Sequence, residues 1–197
     1  MIKRSVHLSL AVAMLASLAL LPLPARSGTA SAVRPDAWIK LCGSRAGCTE
    51  AFIPRTPYKG NNIYNDSGWH QTVSGKMDEG TDIRFWFVVQ NDGATRARFT
   101  IQGCHDVWLN GRAVWTIRQV VIGAWTVGHY RPRDLITDGF KHGTARVTLD
   151  PGARQVYTLD VWNRIRGVGR VLRCPITVSS KAQPDIKDTV VARMITY

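Results

Sequence analysis

From Thr81 to Gln90 every second side chain is large and apolar. Ile83, Phe85, Phe87 and Val89 fall on one side, and Arg84, Trp86 and Gln90 on the other. A period of two is the signature of an extended strand with one face in a core. Arg96–Gly103 repeats it with Ala97, Phe99 and Ile101. Between them lies Asn91-Asp92-Gly93-Ala94, made of residues that tolerate positive φ. The spacing predicts a β-hairpin.

Further strand signals follow at short intervals. Val107–Leu109 and Arg112–Trp115 flank Asn110-Gly111, a second hairpin signal. Ala145–Leu149 runs into Asp150-Pro151-Gly152, a turn. Arg154–Trp162 places Tyr157, Leu159 and Val161 together, and Leu172, Cys174, Ile176 and Val178 alternate in the same way. Pro175 should sit at a bulge or edge. Asp188–Thr196 is the last strand and Asp36–Leu41 the first. Ile117–Trp125 has enough Val and Ile to favour strand. No helical pattern persists for three turns. The expectation is a single all-β antiparallel sandwich of roughly seven to nine strands. Its predicted core is Ile83, Phe85, Phe87, Val89, Phe99, Ile101, Leu159, Val161, Ile176, Val178 and Val190. Two long connections, Cys42–Asn62 and Thr126–Thr144, exceed ordinary turns.

Residues 1–32 read as a secretory signal peptide. Lys3 and Arg4 precede an apolar run, Leu8–Leu21, and Ala30-Ser31-Ala32 offers small residues for cleavage. Cleavage is expected after Ala32, with Ala25 and Ala30 as alternatives. The run is about 14 residues, too short for a spanning helix. The domain is then 33–197, exported and secreted, with no transmembrane segment in its mature form. It carries 23 basic and 14 acidic residues, a net charge of +9. Such a charge attracts polyanions. No run of consecutive Lys or Arg occurs, so no specific nucleic-acid binding is expected.

All four cysteines, Cys42, Cys48, Cys104 and Cys174, follow the cleavage point. An oxidising compartment favours pairing them, and three pairings exist. Cys42 and Cys48 flank a short glycine-containing loop, while Cys104 and Cys174 adjoin strand-like runs. These positions favour Cys42–Cys48 with Cys104–Cys174. Zinc is the competing reading, ranked lower because no Cys-x2-Cys spacing exists.

Several phrases occur in an order that resembles the immunoglobulin-like β-sandwich modules of secreted actinobacterial proteins, adhesion-type and non-catalytic. They are Arg34-Pro35-Asp36-Ala37-Trp38-Ile39, Asn61-Asn62-Ile63-Tyr64-Asn65, Phe87-Val88-Val89-Gln90-Asn91-Asp92-Gly93, Leu149-Asp150-Pro151-Gly152 and Ile176-Thr177-Val178-Ser179-Ser180 before Lys187-Asp188-Thr189-Val190. The resemblance implies a binding or structural unit. The chain departs from it in having four cysteines and extra length between Gly103 and Thr144.

No catalytic or metal-binding set is proposed, and no cofactor. In Cys104-His105-Asp106, neighbouring side chains of an extended segment diverge, so thiol and imidazole would not meet. His70, His129 and His142 are isolated, and Asp134, Asp138 and Asp150 form no spaced pair. All seven tryptophans lie beyond residue 32. Trp86 and Trp162 are expected on an outer face, beside Arg84 and Arg164, where indole and guanidinium groups suit stacking on sugars. The competing expectation packs these indoles under the Thr126–Thr144 segment or under a neighbouring chain. Three functions stand in order: a secreted non-catalytic binding or structural module, a carbohydrate-binding module using those Trp and Arg residues, and a small hydrolase or inhibitor with a loop-borne site. Expected partners are anionic or glycan cell-envelope polymers, or another secreted protein.

Overall fold

The structure is a computed structural model that describes residues 33–43, 58–126, 129–164 and 167–197. Eleven strands and one short helix follow in chain order. They are β1 (Pro35–Gly43), β2 (Thr72–Met77), β3 (Asp82–Asn91), β4 (Ala97–Gln102), β5 (Val107–Leu109), β6 (Arg112–Thr126) and β7 (His129–Leu135), then α1 (Thr137–Lys141), β8 (Ala145–Leu149), β9 (Arg154–Asn163), β10 (Val171–Ser180) and β11 (Lys187–Thr196). They form a β-sandwich. Sheet A runs β1-β3-β9-β6-β5 with β7 added to β6, and sheet B runs β2-β11-β10-β4-β8. The all-β class follows from the alternation, because each strand offers one apolar face and two such faces close on each other.

Every residue of the predicted core is buried there, from Phe85 and Phe87 in sheet A to Phe99, Ile176 and Val190 in sheet B. The pairing differs from expectation in two places. Thr81–Gln90 and Arg96–Gly103 do not form a hairpin: β3 pairs with β1 and β9, whereas β4 pairs with β8 and β10. Asn91 is the physical reason. Its side-chain amide donates to the carbonyls of Thr95 (2.8 Å) and Leu149 (3.0 Å) and its side-chain oxygen accepts from Gly93 N–H, holding a corner that carries the chain between sheets. One strand pair is also parallel, β2 with β11. The Val107–Leu109 hairpin arm forms as expected, and the strand number exceeds seven to nine because β2 and β7 join the sandwich.

Pro175 sits beyond the stretch where β4 pairs with β10, Gln102 opposite Thr177 to Phe99 opposite Ser180, so it does stand at a local edge. Cys104 and Cys174 form a disulfide (S–S 2.08 Å) with a sequence separation of 70, which replaces the zinc reading for that pair. The Cys42–Cys48 pairing involves Cys48, outside the described residues. The 126–144 connection supplies β7 and α1.

Two buried carboxylates pin the segment before β2. Asp188 accepts from Ala37 N–H (2.7 Å), Asn65 N–H (3.1 Å) and Gln71 Nε2 (3.0 Å), tying β1, the 60–71 segment and β11 together. Asp36 accepts from Trp38 Nε1 and from Asn62 N–H. Burial pushes the Asp36 carboxyl up to about 6, against the opposing pull of those hydrogen bonds. Burial raises Asp188 likewise.

Candidate anion-binding face

Alternation decides what sheet B shows to solvent. Its five strands contain a single acidic residue, Asp188, and that one is buried and facing inward. The outward positions carry Lys76, Arg98, Arg146, Arg173, Lys187 and Arg193 among threonines, serines, Gln102 and the apolar Val171, Pro175, Val191 and Ile195. Lys187 pairs with Asp66 at 3.6 Å. The four arginines make no ion pair among the described residues. Arg173 stands directly opposite Arg193, and Thr100 opposite Arg146.

The face ends in a basic hollow. A cavity of about 300 Å³ is lined by Val33, Arg96, Ala97, Arg98, Ser180 and Lys181 among others. The Lys181 backbone N–H donates to the Arg98 carbonyl at 2.9 Å, so these two cations share a fixed backbone frame. Arg96 reaches Asp150 at 3.5 Å, an exposed pair of little energetic weight. Unpaired guanidinium groups over a hydroxyl floor can bind an anion by bidentate hydrogen bonds without first breaking an internal ion pair.

Sheet A behaves differently, and it holds the site residues expected from the sequence. Arg84 is directly opposite Asp160 on β9 and binds it through Nε (2.5 Å) and Nη2 (2.7 Å). Gln119 adds a third bond to the same carboxylate at 2.6 Å. Arg84 is therefore engaged within the fold.

Trp86 requires a correction. It lies on the outer face of sheet A as expected but is only 1% exposed. The chain returns along β1, with Lys59 bridged to Ile39, and Trp86 packs with Cys42 and Tyr58. The Lys40 ammonium lies 4.7 Å from the Tyr58 ring centre and 5.5 Å from that of Trp86. Burial lowers the Lys40 pKa and raises that of Tyr58 to about 12. Trp162 is partly exposed, with Arg164 4.5 Å and Arg118 5.2 Å from its ring centre. Arg84, Trp86, Trp162 and Arg164 thus share a sheet face but not an open site.

Cys104 is consumed by its disulfide, so it is no nucleophile. Asp106 accepts from Ile117 N–H (2.7 Å) and Lys141 Nζ (2.9 Å), and His105 lies edge-on to His142. The His129 side chain is outside the described residues. Among the described residues no group of three or more His, Cys, Asp or Glu could hold a metal ion. No helix among them is long and apolar enough to cross a membrane.

The sheet B cations escaped the sequence reading because they are spread from residue 76 to residue 193. The available signal was the absence of acids from the outward positions of those strands. Trp69 was also missed. Its indole is 70% exposed and rests on His70 (centroids 3.6 Å apart), in a loop where the Asn65 side chain accepts from Ser67 and Trp69 N–H groups.

No family model matches this chain, and no curated protein matches it. Among solved structures, the N-terminal domain of PorA is similar at 12% identity and a TM-score of 0.42, over 81% of this chain and 96% of that one. A FixG-related protein from Vibrio parahaemolyticus gives 8% identity and a TM-score of 0.35, over 81% and 95%. A family 123 glycoside hydrolase from Clostridium perfringens gives 9% and 0.39, over 64% of this chain but 23% of the enzyme. At these TM-scores the likenesses carry no functional argument.

Proposed function

We propose that this chain is a secreted, non-catalytic binding module of the cell envelope or extracellular space, and that its ligand is an anionic envelope polymer of the phosphodiester class. The observation that carries this reading is the acid-free outward face of sheet B with its unpaired arginines. Export is supported by the Lys3–Ala32 segment and by the Cys104–Cys174 disulfide. A repeating polyanion suits cations distributed over a flat face better than a compact ligand does, because several weak contacts add through one chain.

Binding of a polyglycerol phosphate probe tests it. The expected result is salt-sensitive binding that Arg98→Glu with Arg146→Glu weakens about tenfold or more, screened further as ionic strength rises. Equal binding by the double variant, or sequence-selective preference for a DNA duplex, would overturn it.

A carbohydrate-binding reading keeps one favourable observation, the exposed Trp69 indole on its pinned loop. Glycan binding lost in Trp69→Ala and retained in Arg98→Glu would replace the first reading with this one.

A further inference from the structure

We propose that the β5–β6 end of the sandwich docks on an anionic phospholipid bilayer, with the Val107-Trp108-Leu109 tip entering the interface. In the β5–β6 turn Asn110 and Gly111 both have positive φ (50° and 75°), so the hairpin closes on two residues. The last β6 residue paired with β9 is Trp115, opposite Asn163. Three residues, Arg112, Ala113 and Val114, therefore separate that base from the turn, a reach of roughly 10 Å at strand rise. Because the tip overhangs the sheet, neither of its faces meets the core. Val107 is 36%, Trp108 63% and Leu109 49% exposed.

A second apolar tip stands at the same end. Arg164 N–H donates to the Val114 carbonyl at 2.9 Å, placing the β9–β10 connection beside the hairpin base. That connection presents Val168 at 81% exposure, and Val171 follows at 47%. Gly169 N–H donates to the Thr196 carbonyl (2.8 Å), which brings Tyr197, 59% exposed, to the same end. Of the eight exposed large apolar residues among those described, only Trp69 and Leu135 lie elsewhere.

Charge selects the occupant. Arg112 and Arg170 are exposed at this end with no ion pair among the described residues, and Arg164, whose N–H meets the Val114 carbonyl, lies over the Trp162 ring. Asp106 is neutralised by Lys141, and Asp82 by Arg118 at 2.8 Å. Asp78 and Glu79 lie on the β2–β3 turn. An anionic headgroup layer complements the arginines, and acyl chains accept convex apolar tips without a matching groove. A reach of that size matches the depth of interfacial insertion, and Trp is favoured at that level.

The two readings are tested separately, since Arg98 and Arg146, the residues changed in the polymer test, lie at the opposite end of sheet B from Val171. Co-sedimentation with phosphatidylcholine vesicles, with and without phosphatidylglycerol, tests it. The chain should partition onto the phosphatidylglycerol vesicles. Trp108→Ser with Leu109→Ser should weaken this about tenfold or more, and so should Arg112→Glu with Arg170→Glu. Both double variants should melt like the parent, since all four side chains are exposed. Brominated lipid should quench a fluorescence component that Trp108→Ser removes. Unchanged partitioning of the serine variant would overturn the proposal. So would binding that free glycerol phosphate abolishes, or absence of vesicle binding alongside a dimer that the serine variant dissociates.

Discussion

Arg173 on β10 and Arg193 on β11 face each other across adjacent strands on the outward side of sheet B. Like charges directly opposite destabilise a sheet. Arg173→Glu would place opposite charges there. The expected outcome is a gain of about 0.2–1 kcal/mol in urea unfolding, together with weaker binding of polyglycerol phosphate. A variant that loses both stability and binding would argue that the guanidinium groups serve the fold.

The Cys104–Cys174 bridge joins the end of β4 to β10 and closes a loop of 70 residues. Cys104→Ala is expected to cost about 2–5 kcal/mol. Denaturant unfolding of the variant and of the parent under reducing conditions should then coincide. Non-reducing peptide mapping provides the direct check of the linkage.

Gly103 lies against the ring of Phe140: a Cβ at residue 103 would fall 1.8 Å from Phe140 Cζ. Gly103 N–H also donates to the Phe140 carbonyl at 2.9 Å, and the ring is fully buried near Phe87. Gly103→Ala should therefore cost about 1–3 kcal/mol through overpacking. Phe140→Ala should cost about 3–5 kcal/mol through the opposite defect. Combining Gly103→Ala with Phe140→Leu should recover part of the first loss, read as a higher melting temperature than Gly103→Ala alone.

Asp36 titrates near 6 in the folded chain against 3.8 as its ordinary value. The folded state thus holds a proton that the unfolded state releases. This contribution is fully present below pH 3.8 and is lost as pH rises through 6, a change of roughly 3 kcal/mol at most. Asp188 acts in the same direction. Asp36→Asn should flatten the fall in stability between pH 4 and 7, because its amide oxygen can still accept from Trp38 and Asn62. A slope unchanged by the substitution would assign the pH dependence elsewhere.

The period-two pattern exposed the strands and the core because burial of one face is a local constraint on alternate residues. It could not say which sheet a strand joins. The β3–β4 corner depends on Asn91 reaching Leu149, far along the chain. β2 was missed because Gly75 occupies one of its inward positions. A Cβ there would lie 2.2 Å from Ile83 Cδ1, so close packing demanded the residue that breaks the pattern. Trp86 misled for a related reason: Tyr58, which covers it, returns from a remote segment. The outward placement of Trp162 was legible, and its neighbour Arg118 came from another strand.

The chain between β4 and β8 begins and ends in neighbouring positions, since Ile101 and Ala145 face each other in sheet B. β5, β6 and β7, which lie between them, belong to the other sheet, where β6 covers the flank of β9. Without that cover β9 would offer a free, apolar strand edge from Val156 to Val161, ready to recruit another chain. β6 in turn has β5 and β7 along its outer side. β6 therefore acts as a guard against edge-to-edge polymerisation, and shortening the β5–β7 excursion should promote fibril formation.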